Sequence, residues 1–346
     1  MRPAPRLALL ALIALTGCGG PDPRAPFTDS RIPTGLQQRF YPPDGWAWGL
    51  VQVGNRPAAR YGVSSPPARP RADIMILAAY DEPAEAWFET ARELNTHGYV
   101  VWVLEPIGQG GSGRYHMPRD LGDAPSLTPD SDAVRALADR VVRRRPLIVL
   151  ASRTSAPAAL KAVRTGLLSD GLILSAPTLT ADPSAPLSQA RMMRRLAMGG
   201  RRAPGGAGWA REGPDDRALG LTHDAVRGRV RLAWQMANPD LRMGGPSWSW
   251  RAAFAEAVQE LDGAKLPKAA PAVLVLQPSK GLKPAQALCR RLSRCLIQPF
   301  GPAGDSLELE TDEPRKAWLQ AVTAFVEANI ARFSPPPPSA TLAPEG

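Results

Sequence analysis

The stretch "LIVLASRTSAPAALKAV", residues 147–163, has the rhythm of a buried strand running through a tight turn into a helix. Such a turn can hold a nucleophilic hydroxyl clear of its own backbone, usually as G-x-S-x-G; here it reads S-R-T-S-A. Hydroxyls are present at Ser152, Thr154 and Ser155, but a hydroxyl attacks a carbonyl only with a base beside it. The chain has three histidines, His97, His116 and His223. His97 stands at a helix end before Gly98 and suits a dipole partner there. His116 and His223 would serve as base only within hydrogen-bond reach of the hydroxyl. Ser155, two residues before Pro157, fits a helix N-cap better than a nucleophile.

Three cysteines complete the reactive set. Cys18 ends "MRPAPRLALLALIALTGC", in which a short Arg-containing start precedes an apolar run from Leu7 to Leu15 and then small residues. The run is too short for a mature membrane span and reads as a cleaved secretory signal. Cys289 and Cys295 are separated by five residues, and either a disulfide or two free buried thiols suits that spacing. With no histidine nearby, the pair argues against a metal site, and no cofactor is expected.

The elements that position these groups alternate regularly from residue 72: "ADIMILAAY" (strand), "PAEAWFETARELNTHG" (helix), "YVVWVLEP" (strand), "SDAVRALADRVVRR" (helix, capped by Asp130 or Ser131), "PLIVLAS" (strand), "APAALKAVRTG" (helix) and "DGLILSAP" (strand). Continuous apolar strands between helices imply a mostly parallel sheet covered on both faces, an α/β fold. Residues 179–262 interrupt the pattern with Arg-, Gly-, Met- and Trp-rich helical sequence, and it resumes with "PAVLVLQPS". The expected organisation is a signal peptide (1–17), a tether (18–39), a core in two halves (40–178 and 263–333) around a helical cap (179–262), and a disordered Pro-rich tail (334–346). The net charge of +10 is spread along the 346 residues with no nucleic-acid reading motif, so no nucleic-acid partner is expected; anionic lipid suits it better.

Three strings resemble the α/β-hydrolase superfamily, in its bacterial lysophospholipase, monoglyceride-lipase and serine-aminopeptidase-like branch. "ARELNTHGYVVWVLEPIGQGGSGR" looks like that branch's D-x-R-G-x-G-x-S-x-R loop, with Glu105 and Ile107 in place of its Asp and Arg. Residues 221–257 resemble its cap, including the G-G-P-S/T-x-x-W turn at Gly244, Gly245, Pro246, Ser247 and Trp250. "GPAGDSLELETDEPRKAW" is similar to its last loop, G-A-x-H-E-x-x-x-E-x-D-x-x-R. The L-T-G-C ending at Cys18 resembles a lipobox, which implies lipidation of Cys18 and attachment to the cell envelope on the periplasmic side. Gly19 in place of an acidic residue leans toward the outer membrane.

The resemblance implies a serine on the elbow, a histidine base and an orienting acid. Matching the strings puts Thr154 in the nucleophile's place, Asp305 in the base's, and Gly281, without a carboxylate, near the acid's. The oxyanion turn reads Ala78-Ala79-Tyr80-Asp81 in place of H-G or P-G. The expectation is therefore a membrane-anchored relative of carboxylic-ester hydrolases that has lost its triad and binds a lipid, an acyl ligand or a partner. The alternative is an esterase or lysophospholipase with a rearranged site on Thr154, Asp305 and either His116 or His223. Trp46, Trp48, Trp234, Trp248 and Trp250 suit core packing or a lipid-sized cavity.

Overall fold

A computed structural model describes residues 22–141, 145–263, 266–267 and 270–333. The segment 1–17 expected to be a signal peptide, Cys18 and the tail 334–346 lie outside the described residues.

Eight strands form one sheet: β1 (Ala47–Val51), β2 (Ala59–Ser64), β3 (Ala72–Leu77), β4 (Tyr99–Leu104), β5 (Leu147–Ser152), β6 (Gly171–Ser175), β7 (Ala272–Gln277) and β8 (Cys295–Pro299). Their order is β1-β2-β4-β3-β5-β6-β7-β8, with β2 antiparallel to both neighbours and every pairing from β4 to β8 parallel. Every residue of β3, β5 and β6 is buried, as both-face coverage requires.

Alternation along each strand sorts its side chains between two cores. Met75, Leu77, Val149, Ala151, Leu172 and Leu174 face one side, under α2 (Thr128–Ala138), α3 (Ala156–Arg164) and α7 (Leu282–Cys289). Ile74, Ile76, Ile148, Leu150 and Ile173 face the other, under α1 (Phe88–Thr96) and α8 (Asp312–Phe333), where Trp87 and Trp318 are fully buried. The helix α2 begins at Thr128, ahead of the expected caps. Asp130 instead accepts the Ile107 N–H at 2.8 Å, and Ser131 donates to the Ala158 carbonyl.

Between β6 and β7 the chain contributes α4 (Leu187–Arg195), α5 (Val230–Ala237) and α6 (Trp248–Asp262). Ser247 caps α6 by accepting the Trp250 N–H at 2.9 Å. The strap from residue 22 is pinned to the core by the Phe27 N–H to Gly111 O (2.7 Å) and to the cap side by the Arg31 N–H to Asn238 Oδ1 (2.7 Å). A disulfide joins Cys289 at the end of α7 to Cys295 at the start of β8, with Cα atoms 5.4 Å apart.

Candidate functional site

The turn after β5 is the sharp elbow expected of a nucleophile, but its strained residue is not Thr154. Arg153 has φ 41°, a left-handed conformation that disfavours any side chain. The elbow frame is therefore Ala151-Ser152-Arg153-Thr154-Ser155, shifted by one residue from the frame read in the sequence. Arg153, a permanent cation, stands where the nucleophile would be, and Thr154 is the residue after it. Sequence matching alone missed this because small residues flank both frames.

Position after the nucleophile ordinarily supplies one oxyanion N–H, and the loop after the third strand supplies the other. In that loop Tyr80 N–H donates to Thr154 Oγ1 at 2.7 Å. The threonine hydroxyl oxygen thus lies at the distance from this amide that a developing oxyanion would take. Ser155 does not cap α3; its hydroxyl donates to the Ala78 carbonyl and ties elbow to loop.

The Arg153 guanidinium is 12% exposed and lies 3.3 Å from Glu82 Oε1, while Glu82 Oε2 accepts the Ala79 N–H at 2.6 Å. Burial opposes the Arg153 charge, but Glu82, then Glu308 and Asp216, outweigh it and hold the group protonated. Glu308, fully enclosed, is pushed well above the usual carboxylate range by burial and by the Glu82 charge, with Arg153 pulling against both. Two carboxyl groups, Glu82 and Glu308, and the Arg153 guanidinium fill the end of the sheet beside the elbow. Glu82 and Glu308 gave no sequence signal, since only tertiary contact relates them to Arg153.

The cap closes over this cluster through a second set of charges. Asp81, with φ 60°, bonds to Arg231 and accepts Gln235 Nε2 at 2.6 Å; Arg231 in turn reaches Asp216 at 2.7 Å. Desolvation raises the Asp81 pKa to about 6, against the pull of Arg231. The cap segment 221–223 also lies along the final loop, with Ser306 N–H to Leu221 O at 2.8 Å and Thr222 Oγ1 to Leu309 O at 2.6 Å. Gly304 permits this approach, since a Cβ there would come within 2.3 Å of the Leu221 carbonyl oxygen.

The remaining expected residues are not assembled around Thr154. Asp305 is half-buried in the loop after β8 and makes no side-chain hydrogen bond or ion pair among the described residues. His116 is exposed, 3.6 Å from Asp123. His223 is exposed and donates from Nδ1 to Glu310 at 2.8 Å. Burial works against the Glu310 charge, but the Gly304 and Thr311 amides and His223 outweigh it and hold the carboxylate below its usual range. His97 stacks on Tyr99. No group of His, Cys, Asp and Glu capable of holding a metal occurs among the described residues. None of the five principal cavities is lined by Arg153, Thr154 or Asp305.

Glu105, at the Gly-rich loop, belongs to a buried scaffold. The Arg60 guanidinium donates to Glu105 (2.6 and 2.8 Å) and to Glu85 (2.7 and 3.0 Å), and Glu105 also accepts the Ala84 and Gly111 N–H groups at 2.8 Å. Trp48 lies under the same guanidinium, 4.0 Å from it. Trp46, Trp48 and Trp234 gather around Phe88, so these tryptophans pack beside the strap. Trp248 and Trp250 join separate cap clusters.

The mostly parallel eight-stranded sheet, the elbow after β5 and the helical insertion before β7 define the α/β-hydrolase fold. The family model described as serine aminopeptidase, S33, matches residues 68–279, and the chain belongs to that family. Solved structures with this fold include a soluble variant of monoglyceride lipase from Saccharomyces cerevisiae, in complex with a substrate analogue. It is 14% identical, with a TM-score of 0.63, covering 88% of this chain and 98% of that one. A carboxyl esterase from Bacillus coagulans is 13% identical at a TM-score of 0.61, covering 82% and 99%. A monoacylglycerol lipase from Paleococcus ferrophilus is 14% identical at 0.59, covering 79% and 98%. No curated protein matches the chain.

Proposed function

We propose that this α/β-hydrolase, related to monoglyceride lipases and esterases, is a non-catalytic binding protein held at the cell envelope through a lipidated Cys18. One observation carries the loss of catalysis: the strained elbow position belongs to Arg153, ion-paired to Glu82, while Thr154 occupies the Tyr80 amide. A guanidinium at that position neither attacks a carbonyl nor gives up a proton at neutral pH. Thr154, the runner-up nucleophile, has no histidine hydrogen-bonded to it. Anchoring is supported by the apolar run and the L-T-G-C string.

The test is hydrolysis of short-chain esters, monoglycerides and lysophospholipids by the full chain, beside Thr154→Ala and Arg153→Ala. Equal, background rates in all three are expected. Turnover that disappears in Thr154→Ala would sink the proposal and make this an esterase with a rearranged site.

A further inference from the structure

Helix α5 is inside out. Its polar side chains Arg231 and Gln235, one turn apart, are buried against Asp81, whereas a soluble cap helix ordinarily turns such residues to water. Trp234 and Val230 fill the adjoining inner face. What remains for the outside is apolar: Leu232, Ala233, Met236 and Ala237 line an open groove of about 740 Å³, the size of a small-molecule site. Val226 forms part of the same lining, and Val226 and Met236 are 43% and 41% exposed. The opposite wall is the strap, through Pro33, Leu36 and Phe40.

The charge on this groove has one sign. Arg211, Arg229 and Arg242 line it and no carboxylate does, and none of the three forms an ion pair among the described residues. Arg242 is held in place: its guanidinium lies 4.1 Å from the Trp209 ring, Trp209 Nε1 donates to Gln235 Oε1 at 3.0 Å, and Arg242 Nε donates to the Gln235 carbonyl at 3.2 Å. An apolar trough edged by unpaired guanidinium groups is complementary to a molecule with a long hydrocarbon chain and an acidic head.

We infer that the groove between the strap and α5 binds a single long-chain anionic amphiphile, its chain along Leu232, Ala233 and Met236 and its acidic group on Arg211, Arg229 and Arg242. This rests on reading the protein as a binder, and gives that reading a ligand class and a site away from the elbow.

The test is quenching of tryptophan fluorescence by monomeric 2-bromododecanoate, whose bromine lies next to the carboxylate and so beside Trp209, in the full chain carrying Cys18→Ser, so that no attached acyl group competes. Saturable quenching at least tenfold tighter than with 2-bromododecan-1-ol is expected. Trp209→Phe should remove most of it, Met236→Lys should weaken binding at least tenfold, and Arg229→Glu with Arg242→Glu should erase the preference for the acid. Met236 is exposed, so its variant keeps the fold, checked by an unchanged melting temperature. Quenching that survives Trp209→Phe and Met236→Lys would overturn the proposal, as would binding to phosphatidylglycerol vesicles without binding of the monomeric acid. Ester turnover alongside groove binding would overturn the non-catalytic reading alone; absence of both would overturn the groove alone.

Discussion

Arg60 shows how much of this molecule depends on single buried charges. It is fully buried with Glu85 and Glu105, and the latter also holds two backbone amides of the loops on either side. The guanidinium satisfies each carboxyl group with two bonds. Arg60→Met would strand them in a dry site, a loss of about 3–5 kcal/mol. Urea unfolding monitored by tryptophan fluorescence should show it as a lower midpoint with an unchanged slope; a midpoint within error of the wild type would mean that the loops hold without the pair. Gly111 belongs to the same arrangement, since a Cβ there would lie 2.2 Å from Arg60 Nε.

Joints between elements are made by carboxyl groups with unequal protonation. Asp130, in the first turn of α2, fixes the loop after β4 through the Ile107 N–H. Desolvation of this half-buried carboxyl raises its pKa to about 7, and the Ile107 bond only partly offsets that. A carboxyl with a raised folded-state pKa contributes stability below its unfolded value, near 3.8, and loses it as pH rises through about 7. The melting temperature of Asp130→Asn, compared with wild type, should therefore gain between pH 4 and pH 7 and hold its relative position above that. A difference that stays flat from pH 4 to pH 8 would show that Asp130 titrates normally.

Across the whole molecule, the cap is locked to the core by charge. Arg231 is the centre of that lock, shared between Asp81 of the loop after β3 and Asp216 of the cap. Replacing it by Met would leave two enclosed carboxylates without a cation while keeping the side-chain bulk. Hydrogen exchange over residues 216–237 should quicken at least tenfold with β3, β5 and β6 still protected, because only the lock has been opened. Equal acceleration throughout the sheet would mean that the cap and core unfold together.

Fold and family could be read from the chain because they rest on local regularities. Apolar strands such as "ADIMIL" and "LIVLAS" bury both faces in any parallel sheet, and the Gly-rich, cap and final-loop strings keep a recognisable order. The absence of a histidine after the last strands was likewise a matter of counting. The site was not legible in the same way. Thr154 and Arg153 sit in frames that look alike in sequence, and only the backbone angle at residue 153 decides which is strained. Glu82, Arg153 and Glu308 come from three distant segments, as do Asp81, Asp216 and Arg231. The sequence by itself determined which elements form and which reactive residues exist; the tertiary structure decided which charges meet, because Coulombic pairing in a desolvated interior depends on distances that sequence separation does not encode.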